Sequence, residues 1–327
     1  MTRTGLAVAL AIAFLVGITF GFYPDLDIRI SRLFLELGVI RFGLRIDPFL
    51  MWVRDGALWL EAALAAPAVV ALLVKIILPR TRLLVPGRSV VFLVTTLALA
   101  PGLFVNVLAK DNWGRPRPID IPEFGGSEPF VAWWDPRGVC EKNCSFVAGD
   151  PSGAFWTLAP ASLAPPRLRP LAYAAALVFG VGIGLMRIAA GAHFFSDVVF
   201  SGVFTFLIVW LMHGLIYRWP RTRFSDEVVE RAIERVMLPV DAFFVAAVRR
   251  LIEQLRRLRR EGLKARTSAG RSDGADPAIL LFKRSSLMIP DAASWSRALR
   301  RVRPVADERP SIASQSVNRT GGTTNLP

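Results

Sequence analysis

Long apolar runs constrain this chain more than any other feature of its sequence. A helix needs about 20 apolar residues to cross a bilayer. Runs of that length, or nearly so, occupy residues 5–22, 57–78, 89–109, 171–190 and 198–217, and a weaker, shorter run occupies 152–164. Since lipid offers no partner for backbone N–H and C=O groups, such runs form helices. The sequence therefore predicts an all-α polytopic membrane domain with six transmembrane helices over residues 1–217.

The first run has two interpretations. Arg3 precedes it, as a basic residue precedes a signal peptide. Its length and the absence of a clear small-x-small cleavage site favour a helix that stays in the protein.

Basic loops predict the orientation. Arginines gather in the loops at 80–88, 167–169 and 218–223, which a six-span count places on one side together with the N-terminus. Short loops rich in Lys and Arg remain cytoplasmic. In a bacterial inner membrane both termini would be cytoplasmic, and the segments 23–56 and 110–151 and the turn at Gly191 would be periplasmic.

The C-terminal third carries most of the charge. From Arg218 onward the net charge is +10 of the total +14. Residues 218–265 combine a helical apolar period with many arginines, which predicts a basic amphipathic helix on the anionic cytoplasmic leaflet. A nucleic-acid partner is the alternative, but the segment lacks interleaved stacking aromatics. Residues 266–327 are predicted to be a mostly disordered tail.

Two cysteines, Cys140 and Cys144, lie in the predicted periplasmic loop at 110–151. Two are too few for a structural zinc site. An oxidising compartment favours a disulfide between them, and two free thiols are the alternative.

Charged and polar residues stand at the predicted periplasmic ends of three spans, where hydrocarbon tolerates them only for a purpose. They are Lys110, Arg115, Arg117, Asp150, Arg187, His193 and Asp197. If the helix ends pack together, this set gathers four cations, two carboxylates and one imidazole at one interface.

This mixture suits phosphoryl transfer. Fixed cations such as Lys110, Arg117 and Arg187 bind phosphate, and an imidazole such as His193 can attack phosphorus. Asp197 lies four residues after His193, so its carboxylate can hold the other ring N–H and fix the tautomer. Asp150 remains as a candidate acid for the leaving oxygen. The spacing contains no metal-site pattern, so no metal or other cofactor is predicted, and the cations would supply the positive charge.

Simpler roles compete with these assignments. Lys110 could be a lysine that reaches to the membrane interface, and Arg117 could be surface charge in a proline-rich turn. His213, the other histidine, lies near the opposite end of the last span without an acidic neighbour and is interpreted as structural.

The residues resemble the type 2 phosphatidic acid phosphatase superfamily, whose motifs are K-x6-R-P, P-S-G-H and S-R-x5-H-x3-D. Lys110 to Pro118 match the first motif. Arg187, His193 and Asp197 match the third, although Met186 replaces its serine.

The second motif departs from the family pattern. "PSGA" at 151–154 puts Ala154 in the place of the histidine. The register "SFVAGDPSGAF" at 145–155 keeps both flanks and instead places Gly149 on the motif's glycine and Asp150 on its histidine. We prefer the second register, although an aspartate serves as general acid only if its pKa is raised.

The resemblance implies a six-helix bundle in which His193 forms a phosphohistidine while Lys110, Arg117, Arg187 and Gly149 hold the phosphate. Acidic replacement of the motif histidine is similar to the branch that includes bacterial lipid A phosphatases. We therefore expect a metal-independent lipid phosphatase that acts on lipid A. Phosphatidylglycerophosphate, phosphatidic acid, polyprenyl diphosphate and transfer to another acceptor are alternatives, as is a non-catalytic scaffold that binds phospholipid.

Overall fold

The structure, a computed structural model, describes residues 1–36 and 48–269. Every regular element within these residues is a helix, which confirms the all-α prediction. Met1–Glu253 form one compact unit, and a second unit begins at Gln254. The predicted disordered tail at 266–327 lies outside the described residues apart from 266–269, which end a helix.

Within the described residues the helices are joined by short connections, except for the loop between residues 109 and 149. They are α1 (Arg3–Phe22), α2 (Asp25–Glu36), α3 (Pro48–Ile77), α4 (Gly87–Leu97) with a π-helical extension (Ala98–Ala109), α5 (Gly149–Trp156), α6 (Leu158–Leu163), α7 (Arg169–Ala189), α8 (Phe195–His213) with a π-helical extension (Gly214–Arg218), and α9 (Asp226–Ala269). Two 3-10 turns, Pro118–Asp120 and Pro122–Phe124, lie in the long loop.

Five of these segments are long and apolar enough to cross a membrane. They are α1, α3, α4 with its extension, α7, and α8 with its extension. Many of their large apolar side chains are exposed, such as Phe14, Trp59 and Val178. Exposed apolar surface on this scale suits lipid rather than water, and the protein is a multi-pass membrane protein.

The predicted count of six transmembrane helices is not confirmed, and the difference lies in the weaker, shorter run. Residues 152–164 form part of two short helices, α5 and α6, which meet at Thr157. Pro160 lacks the N–H that would bond to the carbonyl of Trp156, so the helix is interrupted there. Instead of facing lipid, α5 is buried between α3, α7 and α8. Phe155 contacts Gly180 and Gly202, where an added Cβ would overlap its ring.

The bundle has two ends, here named the site end and the far end. At the far end Arg218 Nη1 donates to the carbonyl of Met1 (3.0 Å), and Ser89 lies 3.2 Å from the hydroxyl of Tyr217. The N-terminus, the start of α4 and the end of α8 therefore lie together. At the site end α4's extension, α5, α7 and α8 bring Lys110, Asp150, Arg187 and His193 together.

The first part of α9 packs against the far end. The fully buried ammonium of Lys75 donates to Glu230 (3.2 Å), Glu234 (2.5 Å) and the carbonyl of Thr81 (2.7 Å). Arg88 pairs with Asp226 at 3.1 Å. These contacts fix the start of α9 within the compact unit Met1–Glu253.

Candidate active site

His193 lies in the tight turn between α7 and α8, only 1% exposed. Gly191 adopts φ +64°, which favours glycine, and lets the chain reverse there. The ring Nδ1 is 2.7 Å from the carbonyl oxygen of Ser145. Because a carbonyl only accepts, Nδ1 carries the proton, and Nε2 is left with its lone pair.

The surroundings keep His193 neutral. Burial, together with the positive charges of Arg117, Arg187 and Lys110, lowers the pKa of His193 well below its ordinary value. A neutral imidazole is the form that can act as a nucleophile. The same three cations are the ones that the sequence assigns to phosphate binding, so the structure brings the predicted nucleophile and cations to one place.

Asp197 does not hold His193 as expected from their spacing. Its Oδ2 is 4.0 Å from Nδ1, which is beyond hydrogen-bonding distance. The carboxylate instead accepts from the Ser145 hydroxyl (2.5 Å) and from the backbone N–H of Phe194 (2.8 Å). Asp197 therefore acts on the imidazole through Ser145, whose carbonyl holds the ring. A main-chain contact of this kind leaves no side-chain signature in the sequence.

A buried network of hydrogen bonds and ion pairs holds Asp197 in place. Arg115, fully buried, contacts Asp197 and donates to Asp27 at 2.8 Å. The Ser196 hydroxyl links Asp27 and Arg115, because it lies 2.6 Å from the first and 2.9 Å from the second. Asp27 belongs to α2, so this helix is fixed to the site by charge. Sequence reasoning missed Asp27, although Asp27 and Ser31 form a polar pair at helical spacing.

Arg117 is held by the loop that precedes Ser145. Its Nη2 and Nε donate to the carbonyl of Asn143 at 2.6 and 3.1 Å. Asn143 lies between Cys140 and Cys144, which are joined by a disulfide. This bond confirms the preferred prediction for the two cysteines. The bridge thus braces the segment that orients both Arg117 and the Ser145 carbonyl.

Asp150 faces two arginines across the site. Its Oδ2 accepts from Arg54 Nε at 3.0 Å and lies 3.1 Å from Arg187 Nε. Burial disfavours the charged carboxylate, but Arg187, Arg54 and Lys110 outweigh it and lower the pKa of Asp150 below its ordinary value. The expectation that Asp150 is a general acid therefore conflicts with its surroundings, because that role needs a raised pKa.

The position of Asp150 supports the preferred register of the second motif. Ala154, the alternative, packs in an apolar cluster with Ala57 and Ile183. Gly149 has a steric reason to be glycine: a Cβ there would lie 2.5 Å from the Nζ of Lys110. The glycine thus leaves room for the ammonium beside the first turn of α5.

Arg54 is a cation that the sequence analysis did not select. It lies in α3, outside all three motifs, with a side chain 34% exposed. The only sequence signal is a charged pair, Arg54–Asp55, next to a long apolar run.

Burial lowers the pKa of Lys110, and Arg117, Arg187 and Arg54 lower it further against the opposing effect of Asp150. The site therefore concentrates positive charge around a neutral imidazole, which is the arrangement required to bind a phosphate dianion and attack its phosphorus. Across residues 1–36 and 48–269, no group of three or more His, Cys, Asp and Glu side chains is arranged to hold a metal ion. The fold and the site together define a membrane-embedded phosphatase.

Comparisons with known proteins agree with this class. A profile described as the PAP2 superfamily matches residues 89–223. A lipid A 4'-phosphatase of Francisella tularensis subsp. novicida is 35% identical over 219 residues, which cover 67% of this chain and 98% of that protein. A lipid A 4'-phosphatase of Rhizobium leguminosarum is 40% identical over 104 residues, covering 32% of this chain and 45% of that protein.

Among solved structures, a transmembrane PAP2-type phosphatidylglycerolphosphate phosphatase from Bacillus subtilis is 21% identical and covers 66% of this chain and 98% of its own, with a TM-score of 0.40. The chain belongs to the PAP2 superfamily. It is a phosphoric monoester hydrolase of the membrane, and the resemblance predicted from its motifs is confirmed.

Proposed function

We propose that the protein removes a phosphate monoester from lipid A through a phosphohistidine at His193. The observation that carries this proposal is the neutral, buried imidazole surrounded by Lys110, Arg117 and Arg187. The substrate is supported by the relatives named lipid A 4'-phosphatase, and their names point to the 4'-phosphate.

In the first step Nε2 of His193 attacks phosphorus, an N–P bond forms, and the ester P–O bond breaks. Lys110, Arg117 and Arg187 bind the non-bridging oxygens, whose charge rises in the transition state. The proton on Nδ1 stays on the ring and is held by the Ser145 carbonyl, which stabilises the positive charge on the imidazole. Asp197 and Arg115 keep Ser145 in place.

The leaving oxygen needs a proton, and we assign its donor to Lys110 rather than Asp150. Asp150 stays ionised between Arg54 and Arg187, whereas the pKa of Lys110 is lowered by burial and by its cationic neighbours. A lowered pKa makes the ammonium a better acid near neutral pH. The proposed role of Asp150 is to hold Arg54 and Arg187 in place.

In the second step water attacks phosphorus and the N–P bond breaks, which restores neutral His193 and releases inorganic phosphate. The proton from water returns to the neutral amine of Lys110, so both groups regain their starting state. An alcohol in place of water would give phosphotransfer by the same chemistry.

We further propose that the site end faces the periplasm of a bacterial inner membrane. The far end collects Arg82, Arg88, Arg169 and Arg218 together with the N-terminus, and basic short loops favour the cytoplasm. Cys140–Cys144 in the site-end loop suits an oxidising space.

We also propose that the basic amphipathic part of α9 lies on the anionic cytoplasmic leaflet. Exposed apolar side chains of α9 include Val248, Leu251, Leu255 and Leu258, and arginines stand between them at 249, 250, 256 and 257. This pattern suits a basic interfacial helix.

Phosphate release from lipid A by the purified protein in detergent tests the function, with phosphatidylglycerophosphate as the competing substrate and a chelator present. We expect release from lipid A to exceed that from phosphatidylglycerophosphate, to persist with the chelator, and to disappear in His193→Ala. Equal background in the wild type and His193→Ala, with retained lipid binding, would favour the non-catalytic scaffold. Loss of activity on chelation would contradict the metal-independent mechanism.

A further inference from the structure

An apolar groove runs between α3 and α7 directly below the cations of the site. It has a volume of about 510 Å³ and is lined by Val53, Gly56 and Ala57 of α3 and by Phe179, Gly182 and Ile183 of α7. Trp52 and Val178 on its rims are 72% and 73% exposed. Because both helices are spans of a membrane bundle, the groove opens sideways toward lipid.

Two arginines stand where this groove meets the site. Arg54 lies one helical turn before Ala57 on α3, and Arg187 lies one helical turn beyond Ile183 on α7, so each neighbours a groove-lining residue on the same helix face. Their Nε atoms meet at one oxygen of Asp150, at 3.0 and 3.1 Å. The polar end of the groove is therefore an arginine pair on a shared carboxylate, and its walls are apolar.

A phosphorylated lipid has the same division between one anionic group and an apolar body. A molecule that lies in the groove with its chain along α3 and α7 would present its phosphate to Arg54 and Arg187 first. Arg54 is the more exposed of the two, with 34% of its side chain accessible against 14% for Arg187. Because Arg54 shares an oxygen of Asp150 with Arg187, a phosphate at Arg54 is close to a cation that the motifs assign to phosphate binding.

We propose that the substrate lipid reaches the site through the groove between α3 and α7, and that Arg54 is a phosphate-binding residue at its mouth. The inference rests on the proposed function, since it supposes that a phosphorylated lipid is the substrate. It adds a substrate-binding residue that lies outside all three motifs and a position for the apolar part of the substrate.

The chain offers well-matched variants for a test. Gly56 and Gly182 have nothing within 4 Å of an added Cβ, so a side chain can begin there without overlap, and a leucine would extend into the groove. Gly21 of α1 has the same free space but does not line the groove. Gly182→Leu is therefore the test variant, and Gly21→Leu is the control for a bulkier side chain on a helix.

Binding without turnover separates this inference from the proposed function. In a His193→Ala background, the dissociation constants of lipid A in mixed micelles and of inorganic phosphate are measured for each variant. Gly182→Leu should weaken lipid A about fivefold and leave inorganic phosphate unchanged, because only the apolar body is displaced. Arg54→Met should weaken both about tenfold, and Arg54→Lys should restore part of the loss, because a charge-assisted contact is removed.

The inference is overturned if Gly182→Leu binds lipid A like Gly21→Leu, or if Arg54→Met leaves the affinity for inorganic phosphate unchanged. An equal loss for both ligands in Gly182→Leu would also overturn it, because that result means a general disturbance of the site. Failure of the proposed function is a separate result, namely wild-type protein that releases no phosphate from lipid A while these binding constants still respond as stated.

Discussion

Cations lie at both ends of the bundle, with Lys75 buried at the far end and Lys110 half-buried at the site end, and their charge is balanced differently. At the far end Lys75 contacts two carboxylates, Glu230 and Glu234, and a carbonyl oxygen. At the site end Arg54 and Arg187 share Asp150, Arg54 also lies 3.8 Å from Asp55, and Lys110 is subject to the charge of three arginines. A cation paired with two carboxylates has no excess charge for a ligand, and its removal leaves those carboxylates without a partner, whereas an excess of positive charge is available to an anion.

The two histidines extend the comparison and give the largest expected effect. His193→Ala removes the nucleophile, so kcat/KM should fall by about 10⁴-fold or more. His213→Ala at the far end removes ring contacts with Phe92 and Tyr217 and should leave kcat/KM within about twofold. Steady-state kinetics on lipid A checks both, and equal losses would mean that the far-end histidine also serves turnover.

The two lysines, Lys110 at the site end and Lys75 at the far end, should separate activity from stability. Lys110→Met should lower kcat/KM about 100-fold, since a charge on the phosphate and the proposed acid are lost. Lys75→Met should leave the kinetics of the folded protein unchanged but lower the free energy of unfolding by about 2 kcal/mol, because Glu230 and Glu234 lose their partner.

Both variants are compared with the wild type by steady-state kinetics and by thermal unfolding in the same detergent. A Lys110→Met protein that unfolds early yet retains its activity would reverse the assignment of the two ends.

The pH profile of kcat/KM should report the free site. His193 must be neutral, so activity is lost as the pH falls through its pKa, which lies well below the ordinary histidine value of about 6.5. Lys110 must be protonated to donate, so activity falls as the pH rises through a pKa that is lowered from its ordinary value. In Lys110→Arg the alkaline limb should move upward, and an unmoved limb would exclude Lys110 as the proton donor.

The smallest effect is expected in the long loop of the site end. Replacing both cysteines by serine releases the segment that orients Arg117 through Asn143, and kcat/KM should fall about fivefold. Asp135→Asn in the same loop breaks only an exposed ion pair with Arg137 and serves as the control. The measurement is steady-state kinetics of the two variants, and of the wild type with and without reductant. A loss of kcat/KM in Asp135→Asn as large as that in the cysteine variant would contradict the prediction.

The sequence predicts those parts of the site for which the chemistry requires particular side chains at the ends of apolar runs. Lys110, Arg117, Arg187 and His193 meet as predicted because each follows or precedes a helix whose end is visible in the apolar pattern. The α5–α6 pair carries a weaker signal, because a short helix buried among other helices and interrupted before Pro160 needs no lipid-facing length.

The remaining contacts depend on tertiary structure. The partner of His193 is a main-chain carbonyl 48 residues away, which any residue type could provide. Asp27 and Arg115 lie 88 residues apart and meet only because α2 folds back over the site. The spacing of His193 and Asp197 suggested a direct pair, but Asp197 lies in the first turn of α8 and caps the helix by accepting from the backbone N–H of Phe194. Helical spacing predicts shared faces, not hydrogen bonds.

The central claim is that phosphorus is bonded to His193 during turnover, and the stereochemistry at phosphorus tests it most directly. A lipid phosphorothioate made chiral with oxygen isotopes is hydrolysed in isotopic water, and the configuration of the released thiophosphate is determined. Two successive displacements, by His193 and then by water, predict retention of configuration. Inversion would show a single direct attack by water and would contradict the account.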